Sequence, residues 1–412
     1  MDAATGRIVI VGAGHAGVEA AEALRREGHE GAIVLVDAAP DLPYQRPPLS
    51  KEYVAQAGPA PLPLRGPSFY SERRIELRLG EAAARIDRAR REVELEGGER
   101  IGYDALVLAV GAHGRVAACE GADLDGIIGL RTVRDAEVMR ERLERAQRVV
   151  VVGAGFIGLE FASAAEDRGV PTTVIDFAAR PMQRVLSPAM SARFGRLHTD
   201  RGATLVFGEG LERFESDGQD RVGAVVGTSG TRYPADLVVV GLGVVPAVAL
   251  AEHAGLRIDN GIAVDETLRS SDPAIFAIGD CASYPSAHWP GRIRLEAVQN
   301  ATDQARTVAR SILGRDEPYT AVPWFWTVQA GEKLQIAGIA RPDMGTVVLG
   351  DPSTGRCSVL GFSDGTLVCV ESVQAPADHM AARRILAGRR RPTIEEASAE
   401  GFSLKAFAAA AG

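Results

Sequence analysis

Two glycine-rich runs in this chain are suited to holding the pyrophosphate of a dinucleotide. They read Gly12-Ala-Gly-His-Ala-Gly17 and Gly153-Ala-Gly-Phe-Ile-Gly158, and each lies between a β-branched strand and a helix-forming stretch. In such a run the first glycine makes a tight turn, the second lets the backbone approach the pyrophosphate, and the third lets helix pack on strand. The free N–H groups at the helix N-terminus then attract the phosphates. Two such runs predict an enzyme that holds two dinucleotides.

An acidic residue follows the second strand of each unit. Asp37 lies twenty residues after Gly17, and Asp176 lies eighteen residues after Gly158. A carboxylate at this place can accept hydrogen bonds from a ribose diol. Because it also repels a 2′-phosphate, Asp176 predicts NADH in preference to NADPH.

The elements that position these residues alternate between strands and helices. With 412 residues, of which 46% are hydrophobic and 24% are charged, the chain is long enough for two or three domains. Proline recurs between Pro40 and Pro61, which predicts a rigid extended segment and no helix. An apolar strand ends in Gly279-Asp280. Short alternating runs after Pro323 predict a small antiparallel sheet, followed by a helix at 377–386.

The cysteines and the charge exclude several classes of protein. The four cysteines are scattered without a CxxC pair, so a dithiol relay and a zinc or iron–sulfur motif lack their parts. No apolar stretch is long enough for a membrane helix, and the first residues lack the basic region of a signal peptide. We therefore expect a cytoplasmic protein. The net charge of −8 gives no general attraction to nucleic acid.

Arginines cluster near the C-terminus at 383–384 and 389–391. This cluster is either a solvated helix end and loop or a docking patch for an acidic protein partner, and the sequence alone does not separate the two.

Taken in order, these runs resemble the NADH-dependent, FAD-containing ferredoxin reductases of bacterial oxygenase systems. The resemblance covers Arg7 to about Phe407. Beyond the glycine runs it rests on Arg46-Pro-Pro-Leu-Ser-Lys51, Leu130-Arg-Thr132, Ala277-Ile-Gly-Asp280, Glu296-Ala-Val-Gln-Asn300 and Pro323-Trp-Phe-Trp326. RPPLSK and PWFW are far more specific than a glycine run.

The resemblance implies an α/β fold with two Rossmann-like dinucleotide-binding domains, as in glutathione reductase, and a C-terminal α+β domain with a small antiparallel sheet. The FAD domain would be discontinuous, at 1–114 and 246–322. The NAD domain would occupy 115–245, and the C-terminal domain 323–412.

The resemblance also implies which residues bind the cofactors; it implies no metal. FAD would contact Gly12, Gly14, Gly17, Asp37, Arg46, Lys51, Arg131, Asp280 and Val298. NADH would contact Gly153, Gly155, Gly158, Glu160 and Asp176. Further cofactor-binding residues would be His15, Ala16, Ala109, Gly111, Phe156, Ile157, Gly243, Gly279, Ala297 and Trp326. Lys51 and Glu160 would be catalytic and would pair, fixing the flavin against the nicotinamide. A cation beside the flavin favours the negative charge that hydride transfer places there.

Some positions depart from the family pattern or have two interpretations. Thr327-Val328 stands where the family commonly has Ser-Asp, and Val110 stands where it has Thr. The first change removes a polar contact near the flavin or the partner surface, so the sequence does not define that end of the site. Trp324 and Trp326 either fill a core or, at Trp326, stand between the flavin and the ferredoxin surface.

The implied activity is hydride transfer from NADH to FAD, followed by single-electron transfer to a [2Fe–2S] ferredoxin that feeds a haem-thiolate monooxygenase or a Rieske dioxygenase. The protein would be a monomer or a weak homodimer. One alternative acceptor is rubredoxin, quinone or oxygen. The other alternative is an NADH-sensing flavoprotein similar to apoptosis-inducing factor, against which the charge and the lack of extended basic segments count.

Overall fold

The structure is a computed structural model that describes residues 5–55, 61–353 and 355–410. The chain divides into two compact units. Unit 1 comprises Met1–Gln45, Leu62–His113 and Val245–Pro323. Unit 2 comprises Arg46–Pro61, Gly114–Val244 and Trp324–Gly412. The assignment of FAD, NAD and C-terminal domains to the ranges given above stays a prediction.

Strands and helices alternate around the two glycine loops, and strands follow one another in longer series elsewhere. The strands are β1 Ile8–Val11, β2 Ile33–Asp37, β3 Ile75–Leu79, β4 Ala83–Asp87, β5 Glu92–Leu95, β6 Arg100–Gly102, β7 Ala105–Leu108, β8 Ala112–Gly114, β9 Ile127–Gly129, β10 Val149–Val152, β11 Thr172–Asp176, β12 Thr204–Phe207, β13 Leu211–Ser216, β14 Val222–Gly227, β15 Arg232–Pro234, β16 Leu237–Val240, β17 Val244–Pro246, β18 Ile262–Ala263, β19 Ile275–Ala277, β20 Ala282–Pro285, β21 Arg292–Ile293, β22 Trp324–Gln329, β23 Glu332–Gly338, β24 Gly345–Gly350, β25 Cys357–Ser363 and β26 Thr366–Val373. The α-helices are α1 His15–Arg26, α2 Glu52–Ala55, α3 Pro67–Glu72, α4 Val133–Leu143, α5 Phe156–Asp167, α6 Pro188–Asp200, α7 Ala249–His253, α8 Val298–Ile312, α9 Pro376–Ala387, α10 Ile394–Ser398 and α11 Leu404–Ala410. Two 3-10 turns lie at Pro47–Ser50 and Gly279–Cys281.

A parallel sheet of order β19-β7-β1-β2-β3 forms the centre of unit 1. Its inner strands are continuous β-branched and apolar runs, and all four residues of β1 are buried. Such runs are typical of parallel strands that are covered on both faces. Helices α1 and α8 pack against each other beside this core. The carboxyl ends of β1, β2, β7 and β19 therefore lie at one edge of the sheet, which is where a dinucleotide binds in this architecture.

Unit 2 contains a second parallel sheet, of order β12-β11-β10-β16-β9. It also holds an antiparallel sheet of order β22-β23-β26-β25-β24, over which α9 packs. The predicted C-terminal sheet and the helix after it are thus confirmed. The run Trp324-Phe-Trp326 opens this sheet as the first half of β22. No helix in the described part of the chain is both long enough and apolar enough to cross a membrane.

The prediction that the proline-rich segment is extended throughout is wrong. Pro47–Ser50 forms a 3-10 turn and Glu52–Ala55 a short α-helix, while residues 56–60 lie outside the described part of the chain. Pro47 and Pro48 lie at the first positions of the turn. There the fixed φ of proline suits a helix start and its missing N–H has no partner to lose. Proline disfavours the interior of a helix, and the prediction wrongly extended this rule to a helix start.

A buried acid ties the antiparallel sheet to the start of α6 within unit 2. Glu371 in β26 is fully buried. Its carboxylate accepts hydrogen bonds from the Ser187 backbone N–H at 2.7 Å and from the Ser187 hydroxyl at 2.5 Å. Burial raises the pKa of the Glu371 carboxyl to about 7, and the bonds from Ser187 offset only part of that rise.

This raised pKa predicts a stability that falls as the pH rises. The folded state binds the proton more tightly than the unfolded chain, whose carboxyl has its ordinary pKa of 4.5. The stabilisation is therefore complete below pH 4.5 and is lost as the pH passes through about 7. Between about pH 5 and about pH 8, the free energy of unfolding of the wild type should fall by up to about 3 kcal/mol more than that of Glu371→Gln, as measured by urea unfolding at each pH. Equal losses in the two proteins would contradict this assignment.

Candidate functional site

The first glycine loop joins β1 to α1 in unit 1 and has the shape that a pyrophosphate requires. Gly12 has a φ of +104°, and a Cβ on it would collide with the carbonyl of Ala109. A Cβ on Gly17 would collide with the carbonyl of Gly12. A Cβ on Gly14, in contrast, would meet no protein atom within 4 Å. Two glycines are therefore required by the protein's own packing, and the middle one faces open space in front of the helix N-terminus.

The second loop, between β10 and α5 in unit 2, repeats this geometry. Gly153 has a φ of +109° and lies against the carbonyl of Gly241, while Gly158 lies against the carbonyl of Gly153. A Cβ on Gly155 would meet nothing within 4 Å. Ile157, in the first turn of α5, is 41% exposed although it is apolar. Each loop thus offers a space that the protein itself leaves unfilled, and both fit a bound dinucleotide.

Both strand-end aspartates support the loop beside them. Asp37 accepts hydrogen bonds from the backbone N–H groups of Ala13 and Ala39. Asp176 does the same with Ala154, at 2.6 Å, and with Ala178, at 2.8 Å. Each carboxylate oxygen accepts one of these bonds and keeps a second lone pair for a ribose hydroxyl. The aspartates are therefore part of the loop structure as well as candidate ribose ligands.

Several predicted cofactor-binding residues lie in unit 1, some of them against the first loop or the start of α1. Ala109 follows β7 and faces Gly12. The Gly279 N–H donates to the Gln304 side chain at 2.7 Å, and a Cβ on Gly279 would lie 3.1 Å from that of Ala16. His15 and Ala16 are the first residues of α1, and Ala297 and Val298 lie at the start of α8. Gly111, with a φ of +71°, follows β7, and Asp280 lies in the 3-10 turn after β19. The predicted strand that ends in Gly279-Asp280 therefore returns to the first sheet.

The predicted pair Lys51–Glu160 is present in unit 2. The Lys51 Nζ lies 2.9 Å from Glu160 Oε1, and Glu160 is buried. Two hydroxyls also donate to this carboxylate: Ser50 to Oε2, and Thr327 to Oε1 at 2.6 Å. Lys51 additionally donates to the carbonyl of Pro47 at 3.1 Å. Three donors compensate this buried carboxylate for the water it has lost.

Three parts of the chain supply this cluster. The 3-10 turn at Pro47–Ser50 brings Ser50 and Lys51, α5 brings Glu160, and β22 brings Thr327. Strand β22 lies along α5: Phe325 contacts Phe156 with ring centroids 4.5 Å apart, and Ala330 donates to the Ser163 hydroxyl. Ser50 was not predicted as a partner of Glu160, although it neighbours Lys51. Thr327 was predicted only as a departure from the family pattern. Thr327 retains the hydroxyl that this carboxylate uses.

The remaining predicted residues of unit 2 lie in several elements. Arg46 precedes the 3-10 turn, and Arg131 precedes α4, where its N–H donates to Asp135. Gly243 has a φ of +82°, and the Arg184 guanidinium lies near it. Trp326 is partly exposed in β22, with its ring 5.5 Å from that of Trp324. The roles of these residues toward a cofactor stay predictions.

The thiols are poor candidates for redox chemistry. All four cysteines are unpaired, and three of them are buried. Burial raises the pKa of the Cys281 thiol to about 11 and that of Cys369 well above its ordinary value. Burial also raises the pKa of Cys119 and Cys357. Since the thiolate is the reactive form, these side chains are protonated and inert near neutral pH.

The arginine cluster is partly engaged within unit 2. The Arg383 guanidinium lies 4.7 Å from the centroid of Trp324, and Arg390 pairs with Glu396 at 2.9 Å. Arg391 donates to the carbonyls of Leu367 and Leu386. Arg384 and Arg389 are exposed. Internal contacts engage Arg383, Arg390 and Arg391. A docking patch for an acidic partner would therefore be limited to Arg384 and Arg389.

Comparison with known proteins identifies the family. The family described as "Pyridine nucleotide-disulphide oxidoreductase" matches residues 6–305, and "Reductase C-terminal" matches residues 324–408. The chain belongs to the pyridine nucleotide-disulphide oxidoreductase family. It is an oxidoreductase of the flavoprotein type that uses FAD and NAD(H), as the sequence predicted.

Relatives and solved structures agree with this assignment over nearly the whole chain. The chain is 45% identical to rhodocoxin reductase of Rhodococcus erythropolis, covering 97% of this chain and 93% of the relative. The ferredoxin reductase for the CYP199A2 system from Rhodopseudomonas palustris superposes with a TM-score of 0.94 at 41% identity, covering 98% of this chain and 99% of that one. The reductase in a covalent putidaredoxin reductase–putidaredoxin complex has a TM-score of 0.94 at 38% identity, with 99% of each chain covered. The predicted resemblance and fold are confirmed.

The two glycine environments of the second loop predict opposite results for two alanine variants. Gly155 has a φ of −82°, which alanine adopts, and a methyl group there meets only open space. Gly155→Ala should therefore fold with a stability within about 0.5 kcal/mol of wild type. It should nevertheless bind NAD⁺ at least about tenfold more weakly, because the methyl group occupies the place of the pyrophosphate.

Gly158→Ala is the matched control, because its methyl group meets the Gly153 carbonyl. It should lose about 1–3 kcal/mol of stability or fail to fold. Thermal unfolding and calorimetric titration with NAD⁺ measure the two effects. Wild-type affinity in Gly155→Ala would show that the pyrophosphate lies elsewhere.

Proposed function

We propose that this chain is an NADH:ferredoxin reductase, with FAD held at the Gly12–Gly17 loop of unit 1 and NADH at the Gly153–Gly158 loop of unit 2. The observation that carries the proposal is the presence in one chain of two such loops, each with an open middle glycine, together with thiols that are inert. Two dinucleotides without a dithiol relay require that electrons leave from the flavin directly. FAD, when bound, accepts hydride from NADH and releases electrons one at a time.

The chain's own residues bind and orient the two nucleotides. The free N–H groups at the starts of α1 and α5 hold the pyrophosphates. Asp37 and Asp176 accept hydrogen bonds from the ribose diols. They use the carboxylate lone pairs that the backbone N–H groups of the loops do not occupy. Asp176 favours NADH because its carboxylate, fixed by two backbone N–H groups, repels a 2′-phosphate.

Lys51 and Glu160 orient the reactants. The pair is held by Ser50, Thr327 and the Pro47 carbonyl, so the ammonium has little freedom to turn. A cation fixed in advance stabilises negative charge that develops during hydride transfer and needs no rearrangement at that moment. Glu160 keeps this cation in place and is itself a candidate acceptor for the carboxamide of the nicotinamide.

A ferredoxin is the acceptor that best fits the relatives, since the structurally similar protein from Rhodopseudomonas palustris is a ferredoxin reductase. Rhodocoxin reductase is 45% identical to this chain, and a second similar reductase has been solved joined to putidaredoxin. We infer that this chain reduces a [2Fe–2S] ferredoxin that serves a terminal oxygenase. Four unpaired cysteines fit a reducing compartment, which supports the cytoplasm.

Anaerobic stopped-flow spectroscopy of the FAD-loaded protein tests this function. NADH should bleach the flavin rapidly, and NADPH should do so at least about a hundredfold less efficiently, because of Asp176. Addition of an oxidised [2Fe–2S] ferredoxin should then restore the flavin absorbance while the ferredoxin is reduced. A charge-transfer band that persists and that ferredoxin does not discharge would contradict the proposal and favour an NADH sensor. Faster discharge by rubredoxin or quinone than by any ferredoxin would reassign the acceptor.

A further inference from the structure

A chain of buried polar side chains leads from Glu160 through β22 and α6 to Glu166, near the C-terminal end of α5, within unit 2. Its members are Thr327, Gln329, His198 and Glu166, which we call the polar chain. Thr327, Gln329 and His198 have no exposed surface, and the Glu166 side chain is 2% exposed. Burying four polar groups is unfavourable unless each is hydrogen-bonded, so the bonds among them call for an explanation.

The links of the polar chain are consecutive. The Thr327 hydroxyl donates to Glu160 Oε1 at 2.6 Å and accepts from Gln329 Nε2 at 3.4 Å. Gln329 Oε1 lies 3.1 Å from His198 Nε2, and His198 Nδ1 lies 2.7 Å from Glu166 Oε1. Arg201 donates to the other oxygen of Glu166 at 2.9 Å. The alternation of β22 places Thr327 and Gln329 on the same buried face, two residues apart.

The direction of each hydrogen bond fixes the next. Thr327 has one hydroxyl proton, and Glu160 receives it, so only a lone pair remains for Gln329. The NH₂ group of Gln329 must then face Thr327, and its oxygen must face His198. His198 therefore donates from Nε2 to the Gln329 oxygen, and its other ring nitrogen faces Glu166.

The reverse orientation of the amide would weaken the hold on Glu160. With its oxygen turned toward Thr327, Gln329 would compete for the hydroxyl proton that Glu160 now receives. Glu160 would then keep only Ser50 and Lys51 as donors. The orientation of one amide thus decides how many donors hold the buried carboxylate.

Two contacts outside the polar chain also attach β22 to α5. Phe325 packs on Phe156, and the Ala330 N–H donates to the Ser163 hydroxyl. Apolar residues of similar size would fill the same space without the cost of burying polar groups. The polar chain is better explained by the direction it imposes than by the packing it supplies.

We propose that Gln329, oriented by His198, is a positioning residue that keeps the Thr327 hydroxyl donating to Glu160 and so fixes the Lys51–Glu160 pair for hydride transfer. The inference rests on the proposed function, because it concerns the same ion pair.

The test compares three variants of the FAD-loaded protein by stopped-flow reduction with NADH. In Gln329→Glu an oxygen replaces the NH₂ group, so both terminal atoms of the side chain are acceptors. The new oxygen accepts the Thr327 hydroxyl proton. It should slow flavin reduction at least about tenfold while the NADH dissociation constant stays within about twofold. Gln329→Met, which adds no competing acceptor, should slow reduction less. Ser163→Ala, a buried change on the same helix outside the polar chain, should lower the melting temperature and leave the reduction rate unchanged.

A double-mutant cycle with Thr327→Val separates positioning from general destabilisation. Without the hydroxyl there is no proton to capture, so Gln329→Glu should change the rate by less than about twofold in that background. Effects that multiply, or a Gln329→Glu protein that is reduced at the wild-type rate, would overturn the inference. A wild-type protein that NADH does not reduce would instead overturn the proposed function.

Nitrogen NMR of the wild-type holoprotein provides a readout that does not depend on turnover or on folding of the variants. The His198 resonances, identified by their absence in His198→Gln, should show a proton on Nε2. An unprotonated Nε2 would mean that the amide of Gln329 faces the other way, and the inference would fail.

Discussion

The arrangement of unit 2 depends on one buried carboxylate. Glu160 lies 4% exposed in the first half of α5 and binds Lys51, Ser50 and Thr327. Removing any one donor leaves a partly satisfied anion in a poorly solvated place, which is more costly than never having buried it. The proline-rich turn, the helix of the second glycine loop and the first strand of the antiparallel sheet must therefore meet in one geometry. The 3-10 turn at Pro47–Ser50 therefore belongs with unit 2 although it follows the first parallel strands in sequence.

The glycine loops solve a different physical problem, which is to bring backbone N–H groups close to a polyanion. In each loop the outer glycines are needed because carbonyl oxygens of the protein occupy the space of a side chain. The middle glycine is needed only when a ligand is present, since nothing in the protein lies near it. The aspartate after the second strand stabilises the loop through backbone N–H groups and thereby holds the loop open. The same solution occurs in both units, which is consistent with two nucleotides of similar shape.

The sequence was sufficient for those features that short-range patterns encode. The β-branched runs before Gly12 and Gly153 predicted parallel strands, and the alternation after Pro323 predicted the antiparallel sheet. The Lys51–Glu160 pair followed from the family resemblance and not from spacing. The two hydroxyl partners of Glu160 were missed because they lie 110 residues away at Ser50 and 167 residues away at Thr327, and no periodicity connects such distant positions. The proline-rich segment was mispredicted because proline disfavours a helix interior but favours a helix start.

A fixed Lys51 ammonium should accelerate hydride transfer, and the most direct test is rapid reduction of the FAD-loaded Lys51→Met protein by NADH. Thermal unfolding and flavin absorbance would first establish that the variant is folded and retains FAD. The limiting rate of flavin reduction should then fall by about a hundredfold while NADH binding changes only a few-fold. Reduction at the wild-type limiting rate would contradict it, because the ion pair would then have only a structural role.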